Sequence, residues 1–344
     1  MKTSQSADLA QLWSRGCEFL GTKYAILGGA MTWVSNHNLV AAISNAGGFG
    51  VIASGAMTPE LLSNEIDKTK AATSMPFGVN LITMHPKLDE MIDVCGKHKI
   101  RHVVLAGGLP TSASFSRLKE HGCLIIGFAP ALIIAKKLIK MGVDAIVIEG
   151  CEAGGHIGPV STSVLAQEIL PEIRDIPVFV AGGIGRGEAI ISYLKMGASG
   201  CQLGTRFVCA NESPAHPNFK QAFIKANARD AIMSLQLDQR FPVIPVRALA
   251  NKASKEFLQV QANVIKEYDS GSLDLKDAQL KIEHYWAGAL RKAAIDGDID
   301  NGSLMAGQSV GMVTKEQSTK EIVEELIEQA NRFLEASYLY SHAV

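Results

Sequence analysis

Ala145-Ile146-Val147-Ile148-Glu149 runs directly into Gly150-Cys151-Glu152-Ala153-Gly154-Gly155-His156-Ile157-Gly158, and this junction decides how the chain is read. Four consecutive apolar residues make a strand covered on both faces, as a parallel sheet under helices requires. The glycine-rich stretch after it reads as a loop, and it carries a single histidine. A helical pattern resumes near Ser163. Strand, glycine loop and helix form the unit of α/β proteins, and in a barrel such loops lie on the face where chemistry is done.

The same unit repeats on both sides of the junction. The sequence predicts strands over 24–27, 50–53, 77–80, 102–105, 124–128, 145–149, 178–181 and 200–203. Helical spacing of apolar residues falls between them, over 38–46, 59–71, 87–98, 114–121, 131–141, 163–173 and 186–196. Eight short units in tandem favour a closed TIM (β/α)8 barrel over an open doubly wound sheet. The first strand leads into Gly28-Gly29-Ala30-Met31-Thr32-Trp33, not the G-x-G-x-x-G of a dinucleotide fold.

After Phe207 the rhythm stops. Residues 213–302 show helical stretches over 219–226, 254–267 and 276–294 without further strand-helix alternation. They read as a helical substrate or lid subdomain over the barrel mouth. Residues 303–344 then return to the barrel and end in a helix over 318–337, started by the capping-box spacing of Ser318 and Glu321. The expected organisation is a barrel over 1–212, the addition over 213–302 and the return over 303–344.

Composition narrows the class. Thirty-three Lys and Arg against 34 Asp and Glu, mixed along the chain, leave no basic footprint for nucleic acid. No apolar run spans a bilayer and no signal core follows Met1, so a cytoplasmic, membrane-free protein is the expectation. Cys17, Cys95, Cys123, Cys151, Cys201 and Cys209 stand singly, with no zinc spacing, and read as core residues of a reducing compartment. Neither H-E-x-x-H nor G-x-S-x-G occurs, so neither a metal site nor a serine hydrolase is expected.

Two late glycine loops carry the first chemical signal. Ala181-Gly182-Gly183-Ile184 ends the seventh strand and Gln202-Leu203-Gly204-Thr205-Arg206 the eighth. At these positions of a barrel, backbone N–H groups and a helix N-terminus commonly receive a phosphate; tight turns are the bland alternative. Gly29 and Ala30 leave room for a flat ring against the first strand, and Asn80 could bond its polar edge or merely form a turn. A flat phosphate-bearing group across strands one, three, seven and eight points to FMN. His156 beside it is the candidate acid, base or hydrogen-bond donor. His85, His216 and His284 read as structural or substrate-rim groups. Glu149 and Glu152 read better as acids that hold a loop or cofactor than as a catalytic pair.

With these motifs the sequence resembles the nitronate monooxygenase (2-nitropropane dioxygenase) family. That family also includes flavin-dependent enoyl-acyl-carrier-protein reductase II and some NADH:quinone reductases. The resemblance is carried by residues 28–33, 45–50, 76–80, 149–158, 181–184, 202–207, 215–218 and 303–308. It implies an FMN-binding barrel with a helical second domain. By motif, Gly29, Ala30, Met31, Asn80, Glu149, Gly154 and Gly155 fall at the flavin ring and its side chain. Gly182, Gly183, Gln202, Gly204 and Thr205 fall at the ribityl and phosphate end, and His156 at the active-site histidine. The chain departs from the pattern at Leu27, where many members carry glutamine, and at Ala30-Met31, where Gly-Met or Pro-Met is usual.

The resemblance implies as first reaction the oxidation of an alkyl nitronate with O2 to a carbonyl compound and nitrite. The alternatives are NAD(P)H-dependent reduction of an enoyl thioester or a quinone, with His156 as proton donor. A flavin-binding protein without turnover is the reading from outside enzymology. Exposed apolar helix faces in the addition would suit a homodimer.

Overall fold

Closure of the sheet follows from hydrogen bonds at its two ends. The computed structural model describes residues 5–241 and 245–341. Its strands are β1 (Ile26–Gly28), β2 (Gly50–Ala53), β3 (Phe77–Ile82), β4 (His102–Ala106), β5 (Leu124–Phe128), β6 (Ala145–Glu149), β7 (Gly155–His156), β8 (Val178–Ala181), β9 (Gly200–Leu203), β10 (Ala231–Met233) and β11 (Val246–Leu249). Eight of them pair in parallel in the order β1-β9-β8-β6-β5-β4-β3-β2. The ends meet at Leu27 and Phe49, where Gly28 N–H donates to Phe49 O at 2.9 Å and Phe49 N–H to Ile26 O at 2.8 Å. The eight strands therefore form the expected (β/α)8 barrel.

Register sorts the side chains into layers. Leu27, Gln202, Ala181 and Glu149 lie opposite one another across β1, β9, β8 and β6, so all four share one face. Two residues below Ala181 is Phe179, which meets Phe19 with ring centroids 6.2 Å apart. His102 lies edge-on to Phe19 and Phe49 at 5.2 and 5.1 Å. These aromatic rings plug the barrel floor. The row containing Glu149 and Gln202 forms part of its top layer, with Asn80 of β3 on the far side.

Local chemistry sets the helix starts. Asn36, Thr58 and Thr111 cap the helices His37–Asn45, Pro59–Ala72 and Ser112–Glu120 with their side-chain oxygens. The expected box at Ser318 forms: Ser318 N–H donates to Glu321 Oε2 at 2.7 Å and Glu321 N–H to Ser318 Oγ at 3.2 Å. The helix Thr319–Ser341 packs so closely on Gly187–Lys195 that a Cβ on Gly187 would lie 2.2 Å from Leu326 O.

The segment after the barrel differs from the all-helical expectation. It contains the helices Pro217–Lys225, Lys252–Asp269 and Leu275–Ala294, but also β10 and β11, which join β7 in an antiparallel sheet ordered β10-β11-β7. Strands of two to four residues are too short to show alternation, and their pairing is distant in sequence. Phe241, Val246, Phe257, Val264, Ala278, Ile282 and Trp286 make a core separate from the barrel's. Arg291 on the last helix lies over the Trp33 ring, 5.8 Å from its centroid, and so touches the loop after β1. No helix among the described residues is long and apolar enough to cross a membrane.

Candidate active site

At the mouth of a barrel the C-terminal ends of its strands converge. Here they bring together Asn80 from β3, Glu149 from β6 and Gln202 from β9, with the loops that follow β1, β8 and β9. Asn80 is 5% exposed and donates from Nδ2 to Val104 O at 3.2 Å, which leaves its Oδ1 as an acceptor. Gln202 is 8% exposed. Glu149 is half-buried, and burial pushes its carboxyl up to about 8. At neutral pH that group carries a proton and can donate a hydrogen bond.

The late glycine loops have the geometry of a phosphate cradle. Gly182 and Gly183 take φ values of +100° and +72°, a region that side chains with a Cβ rarely enter. Among the described residues, the N–H groups of Gly182, Gly183 and Gly204 donate to no protein acceptor. Opposite them, a Cβ on Gly29 would lie 3.3 Å from Gly204 Cα, so these two loops approach as bare backbone. Three unbonded donors beside the first turn of Thr205–Val208 suit an oxyanion.

Residues 303–308 form a strap across this side of the mouth. Gly307 N–H donates to Thr205 Oγ1 at 2.9 Å, and Gln308 N–H donates to Glu152 O at 2.9 Å. Gly154 sits beneath the strap: its open side is exposed, while a Cβ would fall 2.5 Å from Gly307 N. Thr205 thus has a strap-holding role that sequence reading did not see.

The two acids of the loop separate. Glu152 Oε2 accepts from Thr162 N–H and from Thr162 Oγ1, each at 2.8 Å, and so caps the helix Thr162–Ile169. Among the described residues Glu149 has no such partner, and burial is what raises its carboxyl. The expectation of loop-holding acids is met by Glu152.

His156 is exposed and lies on β7, opposite Val246 of β11. The next donor, Ile157 N–H, bonds Pro245 O at 2.9 Å. The barrel therefore supplies the histidine, while the added sheet holds it. Arg247, absent from the sequence reading, is 8% exposed and lies opposite Gly155, the residue before His156. A lone arginine within a four-residue apolar run was the available signal. Met31 lies near Gly204, its Sδ 3.5 Å from where a Cβ would be, and Ala30 next to it is half-buried. His85 and His216 accept from the N–H groups of Lys87 and Asn218, both at 3.1 Å, and are structural. The His284 side chain lies outside the described residues. Among those residues, no cluster of His, Cys, Asp or Glu is placed to hold a metal.

The structure is that of a (β/α)8-barrel protein whose candidate site lies at the strand C-termini. The chain belongs to the nitronate monooxygenase family, whose profile matches residues 14–98 and 87–329. FabK from Thermotoga maritima is 33% identical, with a TM-score of 0.84 over 95% of this chain and 98% of that one. A (3aS,4S,5R,7aS)-5-hydroxy-7a-methyl-1-oxo-octahydro-1H-indene-4-carboxyl-CoA dehydrogenase of Rhodococcus jostii is 28% identical over 340 residues, 93% of this chain and 96% of its own. A probable nitronate monooxygenase of Bacillus subtilis is 27% identical over 337 residues, 86% of this chain and 92% of its own.

Proposed function

We propose that the protein is an FMN-dependent reductase of enoyl thioesters that draws its electrons from NADH or NADPH. The single observation that carries this reading is the likeness to FabK, a flavin-dependent enoyl-acyl-carrier-protein reductase, at 33% identity over nearly both whole chains. The likeness to a dehydrogenase of a CoA thioester points to the same substrate class.

The residues fit the cofactor. Gly182, Gly183, Gly204 and the turn at Thr205 would hold the phosphate, while Gly29, Ala30, Met31, Asn80, Glu149, Gly154, Gly155 and Gln202 would line the ring and its ribityl chain. When bound, the flavin supplies hydride transfer. The protein's share is orientation, a donor at the carbonyl or ring edge and a proton at His156. His156 is exposed, so a long thioester can reach it from the mouth. Residues 213–302 serve as the substrate-side cover in this reading.

Nitronate oxidation is the second reading, favoured by the family's description and the B. subtilis relative. Anaerobic mixing of the yellow protein with NADH, NADPH or ethylnitronate separates the two. Bleaching by a pyridine nucleotide, reversed by crotonyl-CoA, is the expected result. Bleaching by ethylnitronate with indifference to both nucleotides would overturn thioester reduction. His156→Ala is expected to keep its flavin and lose turnover.

A further inference from the structure

β7 is two residues long and has no partner in the barrel sheet. Its ladder runs to β11 alone, with His156 opposite Val246 and Gly155 opposite Arg247. So short an edge strand has little stability of its own. A side chain supplies the lock. Arg247 Nε donates to Cys151 O at 2.7 Å, and Nη1 donates to Ala231 O at 2.5 Å. One guanidinium thereby ties the loop before His156 to β11 and β10.

Both bonds go to carbonyls and not to a carboxylate. Burying a guanidinium against neutral acceptors carries a desolvation cost that an apolar side chain of similar length would avoid. Methionine would fill the space. It would supply neither of the two divergent donors.

We infer that Arg247 is a positioning residue for His156: its two bonds fix the loop that runs from Cys151 into β7 against β10 and β11. This rests on the reading of His156 as the proton-handling group.

The test compares wild type, His156→Ala, Arg247→Met and Arg247→Lys. It reads flavin content, kcat and KM with NADPH and crotonyl-CoA, and hydrogen exchange at amides 155–158. Arg247→Met is expected to keep its flavin and lose on the order of 10- to 100-fold in kcat, with the KM for NADPH little changed. Exchange at 155–158 should quicken. Arg247→Lys can keep one of the two bonds, so part of the rate and of the exchange protection should be restored.

Wild-type kcat and exchange in Arg247→Met would overturn the assignment, as would a loss of rate matched by loss of flavin. Should Arg247→Met fail to fold, Arg247→Lys decides. Lowered kcat with full flavin and an unchanged KM for NADPH supports the role, and unchanged kcat removes it. Undiminished turnover in His156→Ala would overturn the reading of the histidine, and the positioning role with it. Loss in His156→Ala beside an unaffected Arg247→Met would overturn the positioning role alone.

Discussion

His102 makes the barrel floor sensitive to acid in a calculable way. It is 1% exposed, with its ring edge-on to Phe19 and Phe49. Nε2–H donates to Phe19 O at 2.9 Å, while among the described residues Nδ1 has no partner. A second proton would place a charge on Nδ1 with nothing to receive it. Burial, partly offset by the Phe19 carbonyl, lowers the pKa from 6.5 to about 4. In the unfolded chain the imidazole takes its proton near 6.5, so between these values the unfolded state binds more protons and stability falls as pH falls. The gap is worth about 3 kcal/mol in full, of which about 2 kcal/mol has been lost at pH 5. Urea unfolding followed by tryptophan fluorescence at pH 8, 6 and 5 would measure it. His102→Gln is the control, because its amide can still donate to Phe19 O but does not titrate. Other acids respond alike in both chains, so wild type should lose about 2 kcal/mol more than the variant between pH 8 and pH 5. Parallel pH dependences in the two proteins would refute the assignment of a neutral, trapped histidine.

Three further outcomes follow from the site. Gly182→Ala puts a Cβ 2.8 Å from Thr162 Oγ1 on a backbone at φ +100°, so FMN affinity should fall by about tenfold or more in a fluorescence titration; an unchanged Kd would remove this loop from the phosphate site. Thr205→Val strands the buried Gly307 N–H and should cost about 1–3 kcal/mol in urea unfolding; full stability would mean the strap is held elsewhere. Burial raises the Glu149 carboxyl to about 8, so the folded, flavin-free protein keeps a proton that the unfolded chain has released, and stability falls as pH rises toward and through 8. Glu149→Gln should therefore raise Tm relative to wild type more at pH 9 than at pH 6, and an equal difference at both would show that the carboxyl is already ionised at neutral pH.

The barrel was legible because each unit announces itself locally. The apolar run at 145–149, the positive-φ glycines at 182 and 183 and the capping pair Ser318–Glu321 are all short-range signals, and each forms where expected. The first strand begins at Ile26 and not at Tyr24, because closure is carried by Ile26 and Gly28 through Phe49. What escaped was non-local. β7 and β11 are separated by some ninety residues, so nothing near His156 reveals that Val246 will lie opposite it. Arg247 looks like an ordinary charge in the chain and becomes a clamp only when β11 docks. Gly154 was read as a cofactor contact by resemblance; its fit against Gly307 is a second demand on the same residue that only the folded strap discloses.

The distribution of charge at the mouth bears on the choice of substrate. An anionic nitronate is best met by an available cation, whereas an enoyl thioester is neutral and needs only hydrogen bonds at its carbonyl. Arg247 directs Nε and Nη1 to Cys151 O and Ala231 O and so spends those donors inside the protein. The Glu152 charge is absorbed by the N-terminus it caps. Glu149, raised to about 8, is mostly neutral at pH 7. The unbonded N–H groups that favour an anion belong to the loops after β8 and β9, where a phosphate would use them. His156 is exposed on β7, and a single imidazole there suits a proton donor to a neutral thioester better than a counter-ion to a nitronate. The electrostatics of the loop therefore favour the same choice as the likeness to FabK, by a line of reasoning independent of sequence identity.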